Sequence, residues 1–231
     1  LKEAGKPIGH QNRYLAGGNY ETIDDVFNNA QTGSINSVAP GQVVPGDFIY
    51  IDFDSNGILN GQDKVAVDEL NYPLHTYGLN LGFDWKGLSF SAMFYAPTGV
   101  YKLVNSVYSA SFKSGKINAQ PDVMNAWTPE TANTSGVRAP ALHLTNDGAF
   151  NGTESTYRYQ NFSYLRLKTM ELGYNLPKKW LKTVGLKSLQ VYVTGNNLLT
   201  WWGGDDRIDP EGEQAKYPIL RSFTSGVRVS F

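Results

Sequence analysis

The last ten residues of the chain constrain its fold most. Phe223, Ser225, Val227, Val229 and Phe231 alternate with Ser222, Thr224, Gly226, Arg228 and Ser230, so one face is mostly apolar and the other polar. A period of two over this length belongs to a β-strand with different surroundings on its two sides. Alone, it would suit an amphipathic strand of a soluble sandwich equally well. The pattern recurs, however. Tyr77, Leu79, Leu81, Phe83 and Trp85 alternate with Gly78, Asn80, Gly82 and Asp84; Lys86-Gly87 supplies a turn; Leu88, Phe90, Ala92 and Phe94 alternate with Ser89, Ser91 and Met93. That is a hairpin with long arms and a very short connection. Met170, Leu172, Tyr174 and Leu176 form another such segment, and Leu189, Val191 and Val193 a further one.

Between Arg166 and Lys168 the phase slips: Leu165 and Leu167 have the opposite parity to Leu172 and Tyr174. A bulge is expected there, or a strand running on beyond a bilayer rim. Small polar residues opposite the apolar face suit a water-filled lumen, whereas a soluble sandwich would bury its apolar face against a second sheet. The connections discriminate better. Residues 85–87 are tight, 97–160 long, 177–186 short and 202–219 longer again. Such alternation is expected of an outer-membrane barrel with brief periplasmic turns and extended extracellular loops. With Phe231 periplasmic, the segments near 221–231, 162–176 and 75–85 run inward, and 187–200 and 88–96 outward.

Composition narrows the function. Lys plus Arg number 20 against 21 for Asp plus Glu, so no charge excess points to nucleic acid as a partner. The absence of cysteine removes thiol catalysis, cysteine-ligated zinc and disulfides together. Aromatics at 13% and 24 glycines suit twisted strands with tight turns, and the fold class is all-β. No run approaches the roughly 18 apolar residues of a membrane-spanning helix, a test that leaves barrels untouched. Residues 1–5 lack the features of a signal peptide. Residues 1–73 are less regular, holding a candidate first strand at Lys6–Leu15 and an Asp-rich loop; 74–231 carry the other strands. Five to six strands fall short of the roughly eight a closed barrel needs, and open edges cannot face hydrocarbon. The expectation is therefore a transmembrane antiparallel β-barrel completed by polypeptide outside this chain.

Particular residues sharpen this. Tyr164-Leu165-Arg166-Leu167-Lys168, Leu172-Gly173-Tyr174-Asn175-Leu176-Pro177, and Leu189 to Thr200 with Gly195-Asn196-Asn197-Leu198 resemble the C-terminal strands of SusC/RagA-family TonB-linked outer-membrane transporters. So do the Asp52–Asp63 stretch, the Tyr77–Phe94 hairpin, Ala126-Trp127-Thr128-Pro129-Glu130 and the terminal Phe231. The resemblance covers roughly 45–231. It implies a 22-stranded barrel in the outer membrane of a Gram-negative bacterium, with an N-terminal plug that this chain lacks. It also implies a SusD-like surface lipoprotein as partner, coupling to TonB through that plug, and an oligosaccharide or peptide as cargo.

The sharpest local motif is Asp52-Phe53-Asp54-Ser55-Asn56-Gly57-Ile58-Leu59-Asn60-Gly61-Gln62-Asp63. Asp52, Asp54, Asn56, Asn60 and Asp63 place oxygens at positions 1, 3, 5, 9 and 12, Gly57 sits at 6, and the Ile58 carbonyl falls at 7. This is the spacing of a Ca2+ loop, because a hard cation needs several converging oxygens and glycine permits the sharp turn. Position 12 is Asp where an EF-hand has Glu. The competing reading is a polar turn held by its own side chain to backbone bonds.

Enzyme motifs are absent. His10, His75 and His143 have no zinc-hydrolase spacing, and neither a nucleophile elbow nor a phosphate loop occurs. The acidic pairs Asp24-Asp25 and Asp205-Asp206 read as loop charges, with nothing to set a glycosidase separation. Asn133, Asn151 and Asn161 open triplets of the glycosylation type. Trp201-Trp202 reads as an interface girdle or a stacking platform for a sugar or peptide, and Tyr101, Tyr157 and Tyr159 share that ambiguity. Two functions compete: an outer-membrane importer, and a secreted, soluble β-rich module that binds calcium and glycan.

Overall fold

A computed structural model describes residues 5, 8–29, 43–104, 124–132, 140–142, 151–204, 208–212, 217 and 219–231. The chain divides into two compact units, one of residues 1–70 and 102–160, the other of 71–101 and 161–231. No helix among the described residues is long and apolar enough to cross a membrane.

The first unit is built from short pieces. In chain order they are β1 (Gln11–Arg13), β2 (Ala16–Asn19), helix α1 (Ile23–Asn28), β3 (Phe48–Tyr50) and β4 (Val65–Val67). β1 pairs antiparallel with β4, and β2 with β3. Helix α1 starts at a reciprocal cap: the Thr22 hydroxyl accepts from Asp25 N–H, and the Asp25 carboxylate accepts from Thr22 N–H. Tyr14, Tyr20, Phe48, Tyr50 and Leu59 form the core, with Tyr157 4.0 Å from Phe48 between ring centroids. Arg13, 1% exposed, ties this unit together. Its guanidinium donates to the Glu69 carboxylate at 2.6 Å and lies over the Tyr159 ring. The expected strand at Lys6–Leu15 exists as Gln11–Arg13, but it pairs with β4, and the main sheet keeps five strands.

That sheet fills the second unit. Its strands are β5 (His75–Trp85) and β6 (Leu88–Thr98), followed, after the short pairing partners β7 (Tyr101–Leu103) and β8 (Tyr159–Asn161), by β9 (Tyr164–Asn175), β10 (Ser188–Trp202) and β11 (Ser222–Ser230). The order is β11-β10-β9-β6-β5, antiparallel at every step. β5 and β6 are joined by Lys86-Gly87 alone, with φ of 48° and 91°. Two consecutive positive φ values give the turn the twist that a two-residue hairpin requires. A Cβ on Gly87 would lie 2.8 Å from the Asn175 carbonyl, so only glycine fits. Between β9 and β10 the link is short: helix α2 (Lys178–Leu181), one further helical turn, and Gly185 at φ 72° as the left-handed stop.

The expected phase slip is a bulge. Met93 pairs with Thr169 and Phe94 with Leu167, so Lys168 is passed over, and opposite it the register jumps from Asn196 to Leu199. Asn197 at φ 52° makes the turn possible. The slip folds Leu198 back onto Gly195, where an added Cβ would sit 2.6 Å from the leucine. Leu198 thereby joins Ala92 and Leu167 in a small buried cluster.

Candidate functional site

The register sorts the five strands into two faces. Across the sheet, one row reads Trp85, Leu88, Tyr174, Val191, Val227, the next Phe83, Phe90, Leu172, Val193, Ser225, and a third Leu81, Ala92, Met170, Gly195, Phe223. These residues share one side because side chains alternate along each strand. Among the described residues the cluster around Leu198 buries Ala92 on that side, while Leu81 is 48%, Phe83 52%, Leu172 48% and Val193 50% exposed. Each such side chain left in water forgoes on the order of 1 kcal/mol. The cost over a whole face fits a surface meant for lipid. From Tyr77 to Trp85 the apolar positions of β5 run for roughly 26 Å along the strand. At a tilt of about 40° that covers roughly 20 Å of membrane, close to the apolar band of an outer-membrane barrel.

The opposite face is polar and small. Gly82, Ser91, Glu171, Thr194 and Thr224 form one row, and Ser89, Gly173, Tyr192 and Gly226 the next. Glycine here makes room for neighbouring polar side chains: a Cβ on Gly173 would meet Ser89 Oγ at 2.6 Å, and one on Gly226 the Tyr192 hydroxyl at 2.6 Å. Arg228 crosses these rows, donating to Glu171 at 3.1 Å and Gln190 at 2.8 Å with its guanidinium over Tyr192.

Sequence reasoning missed a charged cluster at the end of this polar face. Arg166, 1% exposed, donates to Thr200 Oγ1 at 2.9 Å, Glu211 at 2.8 Å and Asp209 at 2.8 Å. Lys168, the bulge residue, holds the other Glu211 oxygen at 2.6 Å. The pairs moor residues 209–211 of the long connection to β9. Burial works to raise the Asp209 carboxyl, but the Arg166 hydrogen bond and the Glu211 and Gly212 N–H groups outweigh it and the pKa is lowered. The signal was an arginine and a lysine at a phase slip in an otherwise uncharged stretch, a pair that burial obliges to find carboxylates.

In the first unit, the Asp52–Asp63 loop brings Asp52, Asp54 and Asp63 together, one carboxylate oxygen of each lying within 4.8 Å of the others. Asp63 is fully buried; its oxygens accept from Phe53 N–H at 2.9 Å and Asn60 N–H at 2.7 Å. Asp52 accepts from Gly57 N–H at 2.7 Å and Asn56 N–H at 3.2 Å. Desolvation pushes its pKa up, and these hydrogen bonds override that to lower it. Asn56 donates to Asp54 and accepts from Ile58 N–H, while the Ile58 carbonyl accepts from the Asn60 amide. Gly57 at φ 80° and Ser55 at φ 58° make the sharp turn. The loop thus braces itself and also converges three carboxylates.

Other candidates resolve into structural roles. Trp201, 48% exposed, shares a row with Leu165 on the apolar face, as a girdle residue should; Trp202 points the other way and packs 5.1 Å from Phe162. Tyr157 and Tyr159 are spent on Phe48 and Arg13, and Tyr101 lies in β7. Asn151 is tied to Asp47 and Phe48, and Asn161 caps Ser163 N–H. His10 is buried, and His75 begins β5 at the exposed edge of the sheet. Asp24 and Asp25 serve the first turn of α1. His143, Asn133 and Asp205-Asp206 lie outside the described residues.

A sheet that is greasy on one side, wet on the other and open at both edges is part of a barrel wall, and comparison with known proteins agrees. No family model matches the chain. Two TonB-dependent receptors of Formosa agariphila (strain DSM 15362), P3 and P26, are 30% identical over 206 residues and 31% over 210, covering 83% and 81% of this chain. A structure of the RagAB peptide importer in its open-open state aligns over 95% of the chain with TM-score 0.65 and 25% identity. A second RagAB structure aligns over 96% with TM-score 0.66 and 23% identity, supporting the fold. The chain belongs to the SusC/RagA-type TonB-dependent receptors. It spans about a fifth of the length of the curated relatives it matches, 20% of each. As a receptor segment it is no enzyme, and its place is the Gram-negative outer membrane. The open five-stranded sheet is a partial barrel wall.

Proposed function

We propose that the complete receptor imports a nutrient, an oligosaccharide or a peptide, across the outer membrane, this chain supplying five strands of the wall and the loops between them. The observation that carries this reading is the register of the sheet, which gathers the apolar side chains of five strands on one largely exposed face and the small polar ones on the other. The peptide importers among its structural neighbours favour a peptide cargo. Its partners are then a SusD-like surface lipoprotein above the barrel and TonB, reached through a plug segment outside this chain. A secreted soluble module is disfavoured because its apolar face would need a second protein layer. Deleting the receptor from its host and following labelled oligopeptides and oligosaccharides tests the proposal. Loss of uptake of one class, restored by the complete protein, is expected; undiminished uptake of both would refute it.

We further propose that the Asp52–Asp63 loop holds one calcium ion through Asp52, Asp54, Asn56, the Ile58 carbonyl, Asn60 and Asp63. Three convergent carboxylates are a hard-oxygen set of the kind calcium takes, and magnesium would demand a stricter octahedron. Calorimetry on chelator-treated protein should show uptake of one calcium ion, lost in Asp54→Ala; no heat of binding would retire the idea.

A further inference from the structure

The two tight connections of the sheet lie at one edge. Asn175 N–H donates to the Gly87 carbonyl at 2.7 Å, Leu176 N–H to Leu189 at 2.9 Å, and Lys187 N–H to Ser230 at 2.9 Å. These bonds bring the Lys86-Gly87 turn, the α2 connection and the end of β11 side by side. The edge carries Lys86, Lys178, Lys179, Lys182 and Lys187, all exposed. Between Glu171 and Asp205 the chain has no acidic residue, and the acid nearest the hairpin turn is Asp84, on the polar face opposite Ser89. Among the described residues no carboxylate pairs with any of the five lysines. At the far end of the same sheet Arg166 and Lys168 are both neutralised by Asp209 and Glu211. Beside the lysines stand exposed aromatics: Trp85 (63%) and Tyr174 (43%) in the last apolar row, Trp180 (64%) on α2, and Phe231 (80%).

Resting on the membrane reading above, we propose that this edge is a binding surface for the anionic head groups of phospholipids in the leaflet it borders. Tryptophan and tyrosine settle at the level where hydrocarbon meets head group, and the lysines begin one residue beyond them in sequence at Trp85-Lys86. Their ammonium groups therefore reach the phosphate layer, where a cluster of four or more lysines selects anionic lipid. A protein partner fits less well. Leu181 is the one residue of α2 that is buried, and the exposed face of the helix offers Trp180 among three lysines and no other apolar side chain.

The test uses the complete receptor, moved from detergent into bilayers of phosphatidylcholine containing a minor share of phosphatidylglycerol, with the lipids that stay bound identified by native mass spectrometry. Phosphatidylglycerol should be enriched on the wild type by at least about tenfold, the scale set by only one or two of the lysines acting near a charged surface. The enrichment should shrink as salt rises. The variant K178Q/K179Q/K182Q/K187Q should lose it, and Lys64→Gln, in the other unit, should keep it. Equal enrichment in the quadruple variant and the wild type would overturn the proposal. If the quadruple variant fails to assemble, the wild type decides, since enrichment indifferent to salt also overturns it. So would tighter sedimentation with insoluble peptidoglycan than with phosphatidylglycerol vesicles, which would assign the lysines to another polyanion. A receptor that never entered the bilayer would instead sink the membrane reading itself.

Discussion

Arg166 shows how one residue can decide the position of a loop. Its side chain is buried and its two partners, Asp209 and Glu211, are 14% and 30% exposed, so the pairs are poorly screened. Arg166→Ala would strand the Asp209 carboxylate and release residues 208–212, at a cost of about 3 kcal/mol. Hydrogen exchange across that segment should rise sharply, whereas Lys168→Ala, which removes a more exposed partner, should cost under about 1 kcal/mol. The lowered pKa of Asp209 adds a pH dependence. A carboxyl whose folded pKa lies below its unfolded value stabilises fully above the unfolded value, near 3.9, and that contribution is lost as pH falls through the folded value. The protection of 208–212, exchange taken relative to the intrinsic rate at each pH, should therefore fall in acid below about pH 4 and be flat above pH 5. In the Asp-rich loop, Asp63→Ala removes the acceptor for two part-buried N–H groups and should destabilise that loop by about 1 kcal/mol, read as faster proteolysis between 52 and 63. The loop's spacing was visible in sequence because the carboxylates it brings together are local. The Arg166 cluster was not, because its partners lie 43 and 45 residues away and no local pattern links them.

At the scale of elements, strand periodicity and the turn dipeptide made the β5–β6 hairpin legible, and the change of parity near Lys168 made the bulge legible. What could not be read was the use of the bulge: Leu198 returns over Gly195 only because Asn197 adopts a left-handed backbone. The fate of Gln11–Arg13 was equally hidden, since three residues carry too little alternation to say which sheet they join. The hairpin turn offers a clean test. Gly87→Ala must place a Cβ at φ 91° and 2.8 Å from the Asn175 carbonyl, a strain of roughly 1–3 kcal/mol. The heat needed to convert the folded receptor to its unfolded gel mobility should fall measurably, and an unchanged transition would mean the turn is not built as described.

For the whole molecule, the account rests on what the two faces touch. Leu81→Lys or Leu172→Lys would set a charge among lipid tails, at a cost of about 2–4 kcal/mol near the midplane, and should impair assembly into the outer membrane. Thr194→Lys, on the wet face beside Glu171, should assemble normally. The most direct measurement exploits the absence of cysteine from this chain, any cysteine elsewhere in the complete receptor being replaced first. Single cysteines placed in turn at 169 to 174 and 190 to 194 of the complete receptor, spin-labelled in a bilayer, report their surroundings through collision with oxygen, which dissolves in lipid, and with a water-soluble nickel chelate. The account predicts strict alternation, with 170, 172, 174, 191 and 193 open to oxygen and 169, 171, 173, 190, 192 and 194 shielded from it. Labels at 170, 172, 191 and 193 shielded from both agents would place the apolar face against protein and contradict it.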